Sequence, residues 1–248
     1  MVREIVTCTS LDLGKPLYLQ NELGPFLGRG ILTTNGAVWA HQNKTIAPDD
    51  QLYVAKVKGM INLITESTMI ILKTFKSRIE GEGGIADIQI VDDMRSFSGD
   101  VISKACFGSN YSKGEEIFLK LRALQEIIYL PTMSNRSSLK LQKEIRNLNL
   151  EVVNERKQKA THEKDLLQMI IEGAESSNFN QEEINQFVVD NCKNIYVAAF
   201  EAIAISSTWC LMLLASNQEW QDCVRAEVLE ICGDRTPDYE MLKKMKLI

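Results

Sequence analysis

The sequence predicts a mostly α fold organised around one long central helix, with little β structure. Three observations carry this. Apolar residues recur at helical spacing along most of the chain after residue 53. The longest such stretch ends in a nearly unbroken apolar run, "NIYVAAFEAIAISSTWCLMLLA" at residues 194–215, whose single charge is Glu201. Strand signal is confined to short pieces such as "ADIQIV" at residues 86–91.

Taken in order, residues 11–38 hold Pro16, Gly24, Pro25, Gly28, Gly30 and Gly36, which divide any helix there into short pieces and turns. From Tyr53 onward Val57, Ile61, Ile64, Leu72, Phe75 and Ile79 mark one face of a long amphipathic helix, and "GEGG" at 81–84 ends it. A second helix follows Met94, Phe97, Val101 and Ala105 and stops at Gly108. A third follows Ile117, Leu121, Leu124 and Ile128 and stops before Pro131. The fourth uses Leu141, Ile145, Leu148 and Val152, then turns strongly charged at "NERKQKATHEKD", which reads as a solvated end. The longest helix opens at Asn180, whose side chain can accept from an early backbone N–H while Glu183 reaches back, a capping box. It runs to about Ser216, roughly 54 Å at 1.5 Å per residue. A helix from Asn217 to Gly233 and a short one from Asp238 complete the set. The final "KKMKLI" still lies inside an apolar-periodic pattern, which reads as a truncated chain.

With 248 residues, 45% hydrophobic and 25% charged, the composition is that of a globular protein. No repeat, low-complexity segment or linker breaks it, so residues 1–248 read as a single domain. A net charge of -5 without a long Lys/Arg run leaves nothing to grip a phosphate backbone, which excludes a nucleic-acid partner. The six cysteines form no C-x-x-C pair and read as reduced, buried thiols. Sequons at Asn43, Asn110 and Asn135 stand without other signs of secretion, since "MVREIVTCTSLDLGKP" lacks the apolar core of a signal peptide.

The run around Glu201 is long enough to consider a membrane span. An acid at the bilayer centre costs about 2.5–3.5 kcal/mol, and the basic flanks are thin. The polar, amphipathic first half, "QEEINQFVVDNCKN", favours a helix wrapped on all sides in the core of a large soluble domain. Inside a core an ionised carboxylate must touch a cation, line a wet cavity or hold a raised pKa. Glu201 is then either half of a structural ion pair or an acid poised beside a ligand cavity for proton delivery.

Other chemistries find little purchase. His41 and His162 lie in different segments, and no metal-ligand spacing is visible, so no metal site is expected from this chain. The sequence contains no G-x-S-x-G elbow, P-loop or G-x-G-x-x-G, and "GRGILTTNG" is a turn-rich loop without phosphate-binding spacing.

The residues flanking the glutamate, Ala198-Ala199-Phe200-Glu201-Ala202-Ile203, resemble the central-helix motif A/G-G-x-D/E-T-T/S of the cytochrome P-450 family of haem-thiolate monooxygenases. "NGAVWAHQNKTIAP" at residues 35–48 resembles the same family's W-x-x-x-R segment. "DVISKACFGSNYSKG" and "WCLMLLASNQEWQDCVRAEV" are similar to flanking helices in plant members. The likeness covers essentially the whole chain and is strongest to the plant clan that acts on gibberellin-type and related terpenoid hormones.

This resemblance implies a partial fold of that family over residues 1–248, lacking the N-terminal anchor and the C-terminal haem-binding region. It implies haem as cofactor, a small apolar substrate and an NADPH-dependent flavoprotein reductase as partner. It further implies residence at the cytosolic face of the endoplasmic reticulum for complete members; this chain is read as lacking the anchor and a membrane span, so that its own location is cytosolic or unknown. Trp39 matches the Trp on the propionate side of the haem, and His41 occupies a place often held by His. Asn43 stands where the family has Arg, and a neutral amide cannot make the bidentate, charge-assisted contact to a carboxylate. On the central helix Ala198 and Glu201 match, Ala199 replaces the Gly that admits the oxygen pocket, and Ala202 replaces the Thr whose hydroxyl helps deliver protons.

The family's axial Cys comes from a loop F-x-x-G-x-R-x-C-x-G, where the thiolate favours O–O cleavage. Around Cys106 the corresponding positions hold Gly99, Ile102 and Lys104, so only the tail is mimicked. No Arg has a Glu three residues before it, so the E-x-x-R motif is missing as well. Two readings follow. The first is a truncated monooxygenase homologue, inactive alone, whose complete relatives hydroxylate or epoxidise small apolar metabolites with haem iron, dioxygen and NADPH-derived electrons. The other is a non-catalytic helical binding or dominant-negative interaction module.

Overall fold

The computed structural model describes residues 10–11, 14–46, 50–108, 111–129, 135–159 and 165–247. Cys8, Pro48, Asn110, Pro131 and His162 lie outside them. Among the described residues the secondary structure is helical: α1 Leu17–Leu27, α2 Gly36–Ile46, α3 Asp50–Gly81, α4 Ile90–Phe107, α5 Tyr111–Tyr129, α6 Asn135–Lys159, α7 Leu166–Glu175, α8 Gln181–Ser216, α9 Gln218–Cys232 and α10 Tyr239–Lys244. Residues 86–89 of the strand-like piece are irregular, and Ile90 already opens α4.

The glycines and prolines of residues 11–38 punctuate helices rather than replace them. Pro16 caps α1, and Gly28, at φ 71°, closes it with its N–H donating to the Gly24 carbonyl at 2.8 Å. The expected capping box at Asn180 is present: Asn180 Oδ1 accepts from the Glu182 and Glu183 N–H groups, and Glu183 Oε2 accepts from the Asn180 N–H at 2.8 Å.

One helix was hidden by charge. The end of α6 was expected to be solvated, yet Arg156 is buried, donating to Asp165 at 2.8 Å and to the Phe107 carbonyl at 2.8 Å. Asp165 also caps α7 by accepting from the Gln168 N–H. A buried cation with both a carboxylate and a carbonyl is compensated, so the charges here fold inward.

The chain divides into two compact units. Unit 1 comprises residues 1–53 and 106–197, and unit 2 comprises residues 54–105 and 198–248. In unit 1, α5 and α6 run antiparallel, as the pairs Lys113–Glu155 and Lys120–Glu144 require. They bury Ile117, Leu121, Leu124, Ile145 and Val152. Tyr196 of α8 joins this core, stacked on Phe107 at 5.1 Å and edge-on to Phe118 at 4.7 Å, arrangements worth about 0.5–1.5 kcal/mol each beyond burial. Helix α7 crosses close to α2 because Gly173 leaves room; a Cβ there would lie 1.9 Å from Thr45 Cγ2. In unit 2 the buried positions include Ile61, Met94, Val101, Ile102, Ala204 and Met241.

Burial along α8 is the reverse of what hydropathy implies. The polar half is inside, with Phe187 to Asn194 buried without a break, including Asp190, Asn191, Lys193 and Asn194. The apolar half is not wrapped: only 6% of its span-like window is buried, and Ile205, Trp209, Leu211, Met212 and Leu213 are exposed. By length and composition this is also the one helix among the described residues apolar enough to cross a membrane.

The polar half is buried because each polar group has work. Asp190 accepts from the Arg29 N–H at 2.8 Å and from Gln186 at 2.7 Å, with Lys193 at 3.4 Å. Asn191 accepts from the Ile31 N–H, and Asn194 accepts from the Leu32 N–H at 2.8 Å while donating to the Leu27 carbonyl at 2.9 Å. Gln42 of α2 closes the other side, donating to the Arg29 carbonyl at 2.8 Å. The loop at residues 28–34 is thus sewn to α8 and α2 through its backbone. Its glycines permit the approach: a Cβ on Gly28 would sit 2.1 Å from Asp190 Oδ1, and one on Gly30 would sit 2.3 Å from Asn194 Nδ2.

Replacing Asn194 by Ala orphans the Leu32 N–H and the Leu27 carbonyl, so urea unfolding should show a loss of roughly 2–4 kcal/mol. Gly28→Ala and Gly30→Ala should both be destabilising. Gly24→Ala is the control, since nothing lies within 4 Å of a Cβ there and Ala is the better helix former.

Candidate functional site

The central-helix motif lies in unit 2, where α4 holds α8 at two points. Ser98, fully buried, donates from Oγ to the Phe200 carbonyl at 2.8 Å. Gly99 lets the Phe200 ring approach, since a Cβ there would be 3.4 Å from Phe200 Cε2. One residue further, Glu201 Oε2 lies 3.8 Å from Arg95 Nη2, and Arg95 Nη1 lies 3.7 Å from Asp92 Oδ1. Glu201 therefore has the cation from another segment that the first of its two expected roles demands.

Arg95 keeps a buried Nε without a hydrogen-bond partner, and it lines a cavity of about 160 Å³ with Val91, Ala204, Ile205, Thr208 and Trp209. Ala198 and Ala202 are exposed and Ala199 is half-buried. Thr208 is the nearby hydroxyl on that cavity, but its Oγ1 donates to the Ala204 carbonyl at 2.8 Å. Arg95 and Ser98 escaped the sequence reading. Their signal was a cation and a serine set among Met94, Phe97 and Val101, where an amphipathic helix should be apolar.

The second group of site residues lies in unit 1 on α2. Trp39 and Asn43 are four residues apart and share a helix face. Trp39 is half-buried, with the Lys15 ammonium 5.5 Å from its ring centroid. His41 points its ring elsewhere: Nε2 is 2.8 Å from Ser177 Oγ, and the imidazole meets Phe179 and Phe187 edge-on at 5.8 and 5.7 Å. His41 is therefore a packed residue bridging α2 to the segment between α7 and α8.

A family model described as Cytochrome P450 matches residues 12–248. The chain belongs to the cytochrome P450 family. It is 46% identical over 261 residues to "Cytochrome P450 714C2" of Oryza sativa subsp. japonica, covering 99% of this chain and 50% of that relative. It is 43% identical to "Cytochrome P450 714B3" of Zea mays, covering 99% of this chain and 48% of the relative. The chain thus spans about half the length of the curated relatives it matches. The crystal structure of the cytochrome P450DA heme domain superposes with a TM-score of 0.73 at 19% identity, covering 94% of this chain and 51% of that one, and this likeness concerns the fold.

The P450 family works with haem, so the chain's own residues can be tested against that group. Trp39 fits a carboxylate-bearing edge: it is half-buried, and no described residue accepts from its indole N–H. Asn43 offers no charge. The described cysteines all sit on helices rather than in a loop: Cys106 on α4, Cys192 and Cys210 on α8, Cys223 and Cys232 on α9. Cys106, Cys192 and Cys232 are buried as expected, whereas Cys210 and Cys223 are exposed. Burial pushes the Cys106 thiol far up and the Cys192 thiol to about 12, which keeps both neutral and unfit as thiolate ligands.

Two measurements follow. A thiol reagent at pH 8 should label Cys210 and Cys223 in the folded chain and spare Cys106 and Cys192 until denaturant is added. Because folding raises the Cys192 pKa above its ordinary 9.0, its contribution to stability is complete below that value and is lost as pH rises from there toward about 12, visible as a falling urea midpoint. The Arg95–Glu201 pair is partly exposed and long, so a double-mutant cycle with Arg95→Met and Glu201→Gln should return a coupling below about 1 kcal/mol.

Proposed function

We propose that this chain carries an oxygen- and substrate-facing part of a haem-thiolate monooxygenase and does not turn over by itself. One observation carries the reading: Glu201 survives in the family's central-helix motif but is engaged by Arg95 at 3.8 Å, while position 202 presents only the methyl group of an alanine. When bound, haem supplies dioxygen activation and the insertion of one oxygen atom into a C–H or C=C bond. The protein's share is to orient substrate and ration protons. Glu201 can hold a proton, yet Ala202 provides no hydroxyl to pass it on. Likeness to plant relatives supports a small apolar terpenoid of the gibberellin type as the substrate of complete members. The same likeness supports electrons from an NADPH-dependent flavoprotein reductase and residence at the endoplasmic reticulum.

The test is reconstitution of the chain with haemin followed by its reduced carbon-monoxide difference spectrum. The expected trace lacks the Soret position given by a thiolate-ligated haem; its presence, with turnover when a reductase is added, overturns the claim of inactivity.

A second reading, a non-catalytic helical interaction module, is favoured by the exposed apolar row Ile205, Trp209, Met212 and Leu213 on α8. Size-exclusion chromatography should show concentration-dependent association that Trp209→Glu reduces. A monodisperse monomer at every concentration counts against it.

A further inference from the structure

Helix α4 and the apolar half of α8, both within unit 2, border a cavity of about 160 Å³. Val91 and Arg95 lie one helical turn apart on α4, and Ala204, Ile205, Thr208 and Trp209 line the facing side of α8 at the spacing of a single helix face. The walls are apolar apart from the Arg95 guanidinium and the Thr208 hydroxyl. Ala198, Ala199 and Ala202 of the central motif take no part in the lining. An apolar cavity of about 150 Å³ holds a benzene-sized guest.

Arg95 gives this cavity its chemistry. A guanidinium carries five N–H donors and no acceptor. The carboxylate oxygens that face it, Glu201 Oε2 at 3.8 Å and Asp92 Oδ1 at 3.7 Å, lie beyond hydrogen-bond distance, and its buried Nε has no partner. Those carboxylates nevertheless balance its charge, because Coulomb attraction persists at about 4 Å. Arg95 therefore lacks an acceptor and not a counter-ion. An anion entering here would meet two negative groups around one positive group, whereas a carbonyl oxygen would meet only unused donors. Thr208 Oγ1 donates to the Ala204 carbonyl at 2.8 Å, so its proton is already committed.

We propose that this cavity is a binding site for a small neutral molecule with a ring-sized apolar body and one carbonyl oxygen, which accepts from the Arg95 guanidinium. Val91, Ile205 and Trp209 take the apolar body, and the hydrogen bond sets its orientation. Binding here requires no haem.

The experiment is calorimetric titration of the full chain with three probes of one shape: acetophenone, isopropenylbenzene, in which a methylene group replaces the carbonyl oxygen, and benzoate, which adds a charge. Both neutral probes should bind, with benzoate about tenfold weaker than acetophenone. Arg95→Met should weaken acetophenone roughly tenfold while moving isopropenylbenzene by less than about twofold. Glu201→Gln should bring benzoate closer to acetophenone, since one opposing charge is gone. Ala204→Leu, which fills the cavity from its buried wall, should abolish binding of both neutral probes. Should that variant fail to fold, Ile205→Trp fills the cavity from its exposed rim. A parent chain that takes up neither neutral probe overturns the site, and one that binds benzoate as tightly as acetophenone overturns its neutral character. Equal weakening of both neutral probes by Arg95→Met assigns that residue to the shape of the cavity alone and overturns the carbonyl contact, as does acetophenone binding that Arg95→Met leaves unchanged.

Discussion

The structure of unit 1 depends on a buried row of polar side chains, Asp190, Asn191 and Asn194, hydrogen-bonded to the backbone of residues 27–32. A loop can be buried only when its N–H and carbonyl groups are satisfied, and here a helix supplies the partners instead of a strand. Each bond left unmade costs about 1–3 kcal/mol, against a whole-domain stability of roughly 5–15 kcal/mol. The glycines at 28 and 30 are the other half of the same device, since side chains there would occupy the space of Asp190 and Asn194. With the loop fixed, its carbonyls at Ile31 and Thr34 can hold the Lys15 ammonium beside Trp39.

This explains which parts of the fold were legible. Helix positions from residue 53 onward, except α7, which the expected set lacks, follow apolar periodicity, and the capping box at Asn180 marks the start of α8, because both signals are local. Burial along α8 was misread because hydropathy ranks Asp, Asn and Lys as outward-facing, although polar groups are buried freely once paired. The same assumption concealed Arg156 and Asp165, which pair inside the unit and cap α7 where a charged run implied solvent. Conversely, Ile205, Trp209 and Met212 read as core and lie exposed.

Candidate site residues are legible in the sequence to the extent that they sit in a contiguous motif. Trp39 and Glu201 stand out from their neighbours in sequence, whereas Arg95, which faces Glu201, is 106 positions away from it. Its relevance exists only once the helices are placed. His41 shows the opposite risk. A histidine two residues from Trp39 carried a cofactor expectation, but a helix turns about 100° per residue, and its ring lies against Phe179, Phe187 and Ser177.

The way α4 holds α8 separates architecture from chemistry at the central motif. Ser98 anchors the Phe200 carbonyl and Arg95 faces Glu201, so two successive residues of α8 are addressed by one face of α4. Neither contact needs a hydroxyl at position 202 or a glycine at position 199. The alanines at positions 199 and 202 therefore leave both contacts in place. The seating of α8 against α4 thus rests on the buried Ser98–Phe200 bond, with the long Arg95–Glu201 pair beside it.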